Sequence, residues 1–381
     1  MCCLLDVNGV SGGDYTNIQI IKSLRGLGFE VEVLVNDEFR LSQALEYFDE
    51  RLTGVQIRRF ESPAVPSPYS VALALARERR LHSDMLFLND DVPRIMASPS
   101  RLLLVYAHFP HMGKIGIDAY TPMRHRRVMG RLSWSLHKLS MPLVFRSDFG
   151  DLKKKSLFLA NSSVTAEAIR RFLRGVEPIV LHPPVESKRI HDLTAGTRKN
   201  PVIVYAGRVI PDKAVEDVIL AGGLLAKQRV DFDVYVVGST PDKNYLINLR
   251  SLAKARGLSD SIKFTGPLPR LQLIRLLGRA SVYVSPSKIE PFGISVVEAM
   301  AAGATPVVKR GNNGPTLDIV SGNPLVGLTY SSVDELASKI KLVLGGSLNR
   351  DTVIARALDF DVSVFNRKFL DIVGEFLVTP S

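Results

Sequence analysis

Cysteine is almost missing from these 381 residues. Only Cys2 and Cys3 occur, and two neighbours on one expected strand have the wrong geometry for a shared metal site or an ordinary disulfide. They read as two small buried residues. Also lacking is any run of about 18 apolar residues, the length a membrane-spanning helix needs. From Met1 the chain passes through Leu4 and Leu5 straight to Asp6, with no charged leader and no cleavage pattern, so neither a spanning helix nor a secretory signal is expected. The expectation is a cytoplasmic protein. No short internal repeat is present, and the glycine-rich stretch from Asn8 to Asp14 lacks G-x-G-x-x-G, which leaves dinucleotide binding without support.

Apolar residues make up 46% of the chain, enough to bury sizeable cores, and the length fits two domains. The net charge of +11 is unevenly placed. Residues 101–200 carry 18 Lys and Arg against 7 Asp and Glu, while the remainder balances at 31 against 31. A cationic field of that kind attracts phosphates, nucleic acid or an anionic membrane surface, and composition does not choose among them.

Apolar runs alternate with helical patterns. Strands are expected at 2–7, 31–35, 55–60, 85–88, 102–107, 156–160 and 178–181, with helices over 15–27, 69–82 and 165–173 between them. This is the pattern of a parallel sheet with helices on both faces. In the long segment from Met123 to Phe145, Val128, Leu132, Leu136 and Leu139 fall on one face at helical spacing. Arg124, Arg126, Arg127, Arg131 and Lys138 supply charge around Trp134. Such a helix suits the plane of a membrane interface, and equally an ordinary surface position on the core.

Periodicity lapses over 182–200, read as the interdomain linker. A second alternating series follows, with strands at 202–206, 232–237, 262–265, 281–284 and 305–308 and helices over 215–227, 243–256, 271–278, 293–302 and 333–344. An amphipathic segment at 364–377, with Phe365, Phe369, Ile372, Val373 and Phe376 on one side, closes the chain. The expected domains are 1–190, 198–362 and a terminal helix 363–381 returning to the first domain.

Two stretches carry chemistry. Gly207-Arg208-Val-Ile-Pro-Asp-Lys213 follows the first strand of the second series, where a glycine turn with two fixed cations could cradle a diphosphate. Between the strand 281–284 and its helix lie Glu290 and, eight residues on, Glu298. Pro291 keeps Glu290 extended, and Gly293 permits close approach of a ligand or another backbone. Ligands of open α/β sheets bind outside the carboxyl ends of the strands, so both acids are placed to face one cleft. Each stretch alone also admits a plainer account: Glu298 complementing its helix dipole, Glu290 solvated, Arg208 and Lys213 on a surface loop.

Taken together, Gly207-Arg208, Lys213 and Pro286-Ser287-x-x-Glu290-Pro-Phe-Gly293-x-x-x-x-Glu298-Ala-Met-Ala-x-Gly303 resemble the retaining nucleotide-sugar glycosyltransferases of the two-Rossmann-domain (GT-B) class with a Glu-x7-Glu motif. The resemblance implies an α/β fold of two Rossmann-like doubly wound domains facing a central cleft, the C-terminal helix crossing back to the N-terminal domain. It also implies that Arg208 and Lys213 hold the donor diphosphate, that Glu290 contacts sugar hydroxyls and that Glu298 takes the ribose hydroxyls. Gly207, Phe292, Gly293 and Ile294 would complete the donor site. Gly12 and Gly13 resemble the class's N-domain glycine loop, and His108 its histidine near the donor sugar. Tyr106-Ala-His-Phe-Pro110 and Ala160-Asn161-Ser162 resemble, over a shorter span, mannosyltransferases that elongate dolichol-linked oligosaccharide on the cytosolic membrane face.

The expected activity is therefore retaining transfer of a hexose, mannose from GDP-mannose as first choice, to a lipid-linked or otherwise membrane-presented glycan. The partners implied are a nucleotide sugar, a polyprenyl-linked acceptor and an anionic membrane surface near residues 124–138, with no nucleic acid, no cofactor and no metal. No residue is assigned as general base, since the leaving phosphate can take the acceptor proton. Two positions depart from the pattern: Ala214 and Asp318 stand where glycine and glutamate are commoner. Asp231-Phe-Asp233 and Asp359-Phe-Asp361 mimic a metal-binding D-x-D but fall at a strand start and between helices, and His108 and His111 lack further ligands at zinc spacing. A nucleotide-sugar 2-epimerase on the same architecture and a basic nucleic-acid-binding protein are the competing readings. The first would turn over donor without acceptor, and the second would bind nucleic acid with steep salt dependence.

Overall fold

The computed structural model describes residues 2–5, 10–35, 37–59, 84–90, 92, 102–110, 143, 145–346 and 348–378. The helix expected over 69–82, His111, and the basic segment with Arg124, Arg126, Arg127, Arg131, Trp134 and Lys138 lie outside the described residues. The chain divides into two units, one comprising 1–184 with 363–381, the other 185–362.

In the first unit, strands β1 (Cys2–Leu5), β2 (Glu32–Val35), β3 (Gln56–Arg59), β4 (Met85–Asn89), β5 (Leu102–Ala107), β6 (Ser156–Ala160) and β7 (Ile179–Val180) form a parallel sheet in the order β3-β2-β1-β4-β5-β6-β7. Helices α1 (Gly12–Gly26), α2 (Glu38–Phe48) and α3 (Ser163–Phe172) are its described crossovers. The central strands β4, β5 and β6 are buried on both faces and read as nearly continuous apolar runs, whereas β3 and β7 are exposed. Leu103, Val105 and Ala107 of β5 pack with Phe149, Phe158 and Ile169 on one side. Leu104 and Tyr106 pack on the other with Ile20 and Leu24 of α1 and with Phe365, Phe369 and Val373. The last three lie four residues apart on the terminal helix, the spacing of one helical face.

The helix α1 begins at Gly12, earlier than the expected 15–27. The Ser11 side chain accepts from the Asp14 backbone N–H at 3.3 Å, and its hydroxyl donates to the Asp14 carboxylate at 2.6 Å. This reciprocal cap satisfies the first turn, so Gly12 and Gly13 are helical rather than part of a loop.

The second unit contains α4 (Ser187–Thr194), β8 (Asn200–Ala206), α5 (Glu216–Lys227), β9 (Asp233–Val237), α6 (Lys243–Ala255), β10 (Ile262–Gly266), α7 (Arg270–Arg279), β11 (Ala280–Ser285), α8 (Ile294–Ala301), β12 (Thr305–Lys309), β13 (Leu328–Tyr330), α9 (Val333–Leu344) and α10 (Arg350–Leu358). The helix α11 (Val362–Val378) then begins. The strands are parallel in the order β10-β9-β8-β11-β12-β13, so the chain reverses direction across the sheet between β8 and β11, the switch point where doubly wound sheets bind ligands. Helices α4, α7, α8 and α10 cover one face with Val204, Tyr283 and Val308, and α5, α6 and α9 cover the other with Ile203, Val282 and Val307.

Three helices were not expected from the sequence: α2, which buries Leu41, Ala44 and Phe48, and α4 and α10. Residues 187–194 form α4 inside the segment read as linker; its buried positions include Ser187 and Thr194, polar residues that blur the apolar period. α10 buries Val353, Ile354 and Ala357 and starts at Asn349, whose side chain accepts from the Asp351 N–H. Among the described residues no helix is long and apolar enough to cross a membrane.

Candidate functional site

Of the charged residues singled out in the second unit, Arg208, Lys213 and Glu290 sit in loops at the carboxyl ends of its central strands, and Glu298 lies on the helix that follows β11. After β8 the backbone stays tied to β9: the Gly207 N–H donates to the Val237 carbonyl at 3.0 Å and the Val209 N–H to the Ser239 carbonyl at 2.9 Å. A Cβ on Gly238 would lie 2.0 Å from the Gly207 carbonyl oxygen, and Gly238 has φ +136°, so glycine is required there both sterically and conformationally. The Tyr205 hydroxyl donates to the Arg208 carbonyl at 2.7 Å. Arg208 thus has an anchored backbone and an exposed side chain. Residues 211–213 make one 3-10 turn, closed by Ala214 at φ 49°, ψ 43°.

After β11 the chain runs to Glu290, whose carboxylate Oε2 lies 2.5 Å from Lys213 Nζ. The two residues are 77 positions apart in sequence and meet because β8 and β11 are adjacent strands. The Gly314 N–H donates to the Glu290 carbonyl at 2.8 Å. A Cβ on Gly314 would come within 2.2 Å of the Pro291 carbonyl oxygen and 2.5 Å of the Phe292 Cα, so the 311–314 turn packs directly beneath this loop. Gly293, at φ 100°, ends it as the N-cap of α8 and supplies no side-chain cap, which leaves the positive end of the helix dipole open to an anion. Phe292 is 2% exposed and packs edge-on against Phe360, with ring centroids 5.4 Å apart. Its side chain belongs to the core, so only its backbone can face a donor.

Glu298, on α8, is 7% exposed. Its Oε1 accepts from Arg270 Nη1 at 2.5 Å, and Arg270 Nη2 donates to Glu186 Oε2 at 3.1 Å. Two tyrosines report how close these charges lie to one another. Burial raises the Tyr283 phenol well above its ordinary range, and Glu298 and Glu290 push it further. Tyr205 is likewise raised by burial, with Glu290 adding to the rise and Arg208 opposing it. Each phenol stays protonated and serves as a hydrogen-bond donor.

Arg270 and Glu186 were missed from sequence. The signal available was Arg270 at the first helical position after Pro269, with no acid in the first turn; a cation at a helix N-terminus is unfavourable unless it has a partner.

In the first unit, the His108 imidazole lies over the first turn of α1. A Cβ on Gly13 would sit 3.4 Å from both Cε1 and Nε2 of that ring. The His108 carbonyl accepts from the Thr165 hydroxyl at 3.1 Å, and the next N–H, of Phe109, donates to Asp90 Oδ1 at 2.7 Å. Gly13 and His108, 95 residues apart in sequence, are therefore neighbours in the fold. The two D-x-D mimics are engaged elsewhere: Asp233 pairs with Lys263 at 3.0 Å, Asp359 with Arg356 at 2.8 Å, and Asp361 Oδ2 accepts from the Lys188 N–H at 2.9 Å. Among the described residues no cluster of three or more His, Cys, Asp or Glu is placed to hold a metal ion.

Two doubly wound parallel sheets in this order define an α/β protein of the GT-B architecture. The structure of Anabaena HepE in complex with UDP and glucose superposes with a TM-score of 0.68 at 18% identity, covering 98% of both chains. Residues 188–358, which lie within the second unit, match the family Glycosyl transferases group 1. Glycogen synthase of Mycobacterium tuberculosis is 28% identical over 273 residues, which are 71% of this chain and 62% of that protein. The Dictyostelium discoideum protein described as GDP-Man:Man(3)GlcNAc(2)-PP-Dol alpha-1,2-mannosyltransferase is 30% identical over 235 residues, 56% of this chain and 46% of that protein. The chain spans less than two thirds of the length of either relative.

Proposed function

We propose that the chain is a glycosyltransferase that moves a hexose from a nucleotide sugar to an acceptor hydroxyl, with retention at the anomeric carbon and without a metal ion. The carrying observation is the meeting of Lys213 and Glu290 at 2.5 Å on the same strand ends as Arg208, at the switch point of the second unit's sheet. In this reading Arg208 and Lys213 bind the donor diphosphate and Glu290 accepts from sugar hydroxyls. As the bond from the anomeric carbon to the β-phosphate oxygen breaks, the departing nucleoside diphosphate keeps the electron pair, and the two cations offset its growing charge. One such preorganised donor is worth roughly 10²–10³ in rate. The acceptor oxygen bonds to the anomeric carbon on the face being vacated, and its proton passes to the leaving phosphate oxygen. No side chain has to act as nucleophile or general base.

GDP-mannose is the proposed donor and a lipid-linked glycan the proposed acceptor, both supported by the description of the Dictyostelium relative. The UDP and glucose bound to HepE make UDP-glucose the competing donor. The excess of 18 Lys and Arg over 7 Asp and Glu within residues 101–200 supports attachment to the anionic cytosolic face of a membrane. Thermal shifts against GDP-, UDP- and ADP-sugars test the donor, because a ligand that binds only the native state raises its apparent stability. GDP-mannose is expected to give the largest shift, and no shift with any of them would overturn the proposal. For the membrane, flotation with anionic liposomes is expected to weaken in Arg126→Glu/Arg127→Glu; unchanged flotation removes the interfacial role of that segment.

A further inference from the structure

The N-terminus of α7 holds a charge that its own helix disfavours. Arg270 faces the positive end of the α7 dipole, yet its side chain is only 12% exposed. Two carboxylates account for this. Glu298 takes Nη1 and Glu186 takes Nη2, while the other oxygen of Glu186 accepts from Arg189 Nη1 at 2.7 Å. Glu186 and Arg270 are 84 positions apart, and Arg270 and Glu298 are 28 apart, so the set exists only in the folded second unit.

We infer that Arg270, itself steadied by Glu186, is the positioning residue that presents Glu298 to the ribose hydroxyls of the donor, and that preference for a ribonucleotide over a 2′-deoxyribonucleotide depends on it. The inference rests on the reading of Glu298 as the ribose acceptor. A carboxylate has two oxygens and about four acceptor directions. With Oε1 committed to Arg270, the plane of the carboxylate is set and Oε2 is left to accept from a hydroxyl. Arg270 shares its charge between two carboxylates, and Arg189 gives Glu186 a second cation, so the four groups balance in formal charge. Glu298 keeps one carboxylate oxygen as an acceptor, and an acceptor-only group suits hydroxyl donors better than a phosphate on the same ribose. Without Arg270 the buried Glu298 carboxylate would be unpaired, which is costly enough to change its orientation or its protonation.

Titration calorimetry on the full chain tests this with GDP against 2′-deoxy-GDP, and with UDP against 2′-deoxy-UDP in parallel. The unaltered protein is expected to prefer the ribonucleotide by about 10- to 100-fold, the size of one hydrogen bond to a charged group. In Arg270→Gln that preference falls toward unity, in Arg270→Lys part of it returns, and in Glu186→Gln it is reduced. Glu298→Gln is the control. If the preference is absent in the unaltered protein, or survives in Glu298→Gln, the ribose reading of Glu298 fails. If Glu298→Gln abolishes it while Arg270→Lys and Glu186→Gln leave it intact, the positioning role of Arg270 is overturned. A purely structural Arg270 would weaken ribo- and deoxyribonucleotide binding equally and leave the ratio unchanged. Should Arg270→Gln not fold, the Arg270→Lys and Glu186→Gln ratios decide.

Discussion

Lys213 Nζ and Glu290 Oε2 stand 2.5 Å apart, each with a side chain about one fifth exposed, so the cation assigned to the diphosphate and the acid assigned to the sugar form one ion pair. A diphosphate entering the site competes with Glu290 for that ammonium.

Replacing the cation should therefore act on the transition state more than on folding. For Lys213→Ala, transfer measured at saturating donor is expected to fall by roughly 10²–10³, while the melting temperature changes little because the pair is partly solvated. Undiminished turnover would remove Lys213 from the chemistry.

Ala214 occupies the left-handed region at φ 49°, where a side chain costs about 1–2 kcal/mol. Ala214→Gly removes that strain but gives back about 0.4–1 kcal/mol through the freer unfolded chain. The expected net gain is about 0.5–1 kcal/mol in denaturant unfolding. A clear loss of stability would mean that the alanine methyl makes contacts that outweigh its backbone strain.

The turn beneath Glu290 has no room for a Cβ. In Gly314→Ala the added carbon meets the Pro291 carbonyl oxygen and the Phe292 Cα, both backbone atoms. Overpacking of this kind costs about 1–3 kcal/mol, and the displaced 290–293 loop should weaken nucleotide-sugar binding by more than its loss of stability explains. Titration of the folded variant checks this; unaltered affinity would separate the turn from the site.

Lys199 lies just before β8, at the amino end of that central strand, where Nζ donates to the carbonyls of Leu277 at 3.2 Å and Ala302 at 2.7 Å. Burial, reinforced by the Arg350 charge, depresses it from 10.5 to about 7. Between those values the unfolded chain binds the proton and the folded one does not, so this group makes stability rise with pH, and the contribution is lost as pH falls through about 7. The slope approaches about 1.4 kcal/mol per pH unit at most. Comparing unfolding of Lys199→Met with the unaltered protein from pH 7 to 10 should show the slope only in the latter; parallel curves would contradict the depressed value.

Most strands and several helices could be read from the chain because a strand segment buried on both faces must be apolar throughout, as residues 157–160 and 103–107 are. The helices that escaped, Glu38–Phe48, Ser187–Thr194 and Arg350–Leu358, are short and bury only a few apolar side chains apiece. The start of α1 was hidden for a different reason: Gly12 and Gly13 read as a loop until the reciprocal Ser11–Asp14 bonds cap them into a helix.

By itself the sequence determined the doubly wound pattern, the placement of Arg208, Lys213 and Glu290 in loops that follow strands and of Glu298 on the next helix, and Gly293 as a point of close approach. These follow from local periodicity and backbone sterics, which act over a few residues. Only the tertiary structure decided which charges meet. Arg270 finds Glu186 and Glu298, Lys213 finds Glu290, and Gly13 lies against His108, because strand order sets which segments lie side by side. That order arises from how the two faces of each sheet are covered, which no single stretch of sequence encodes.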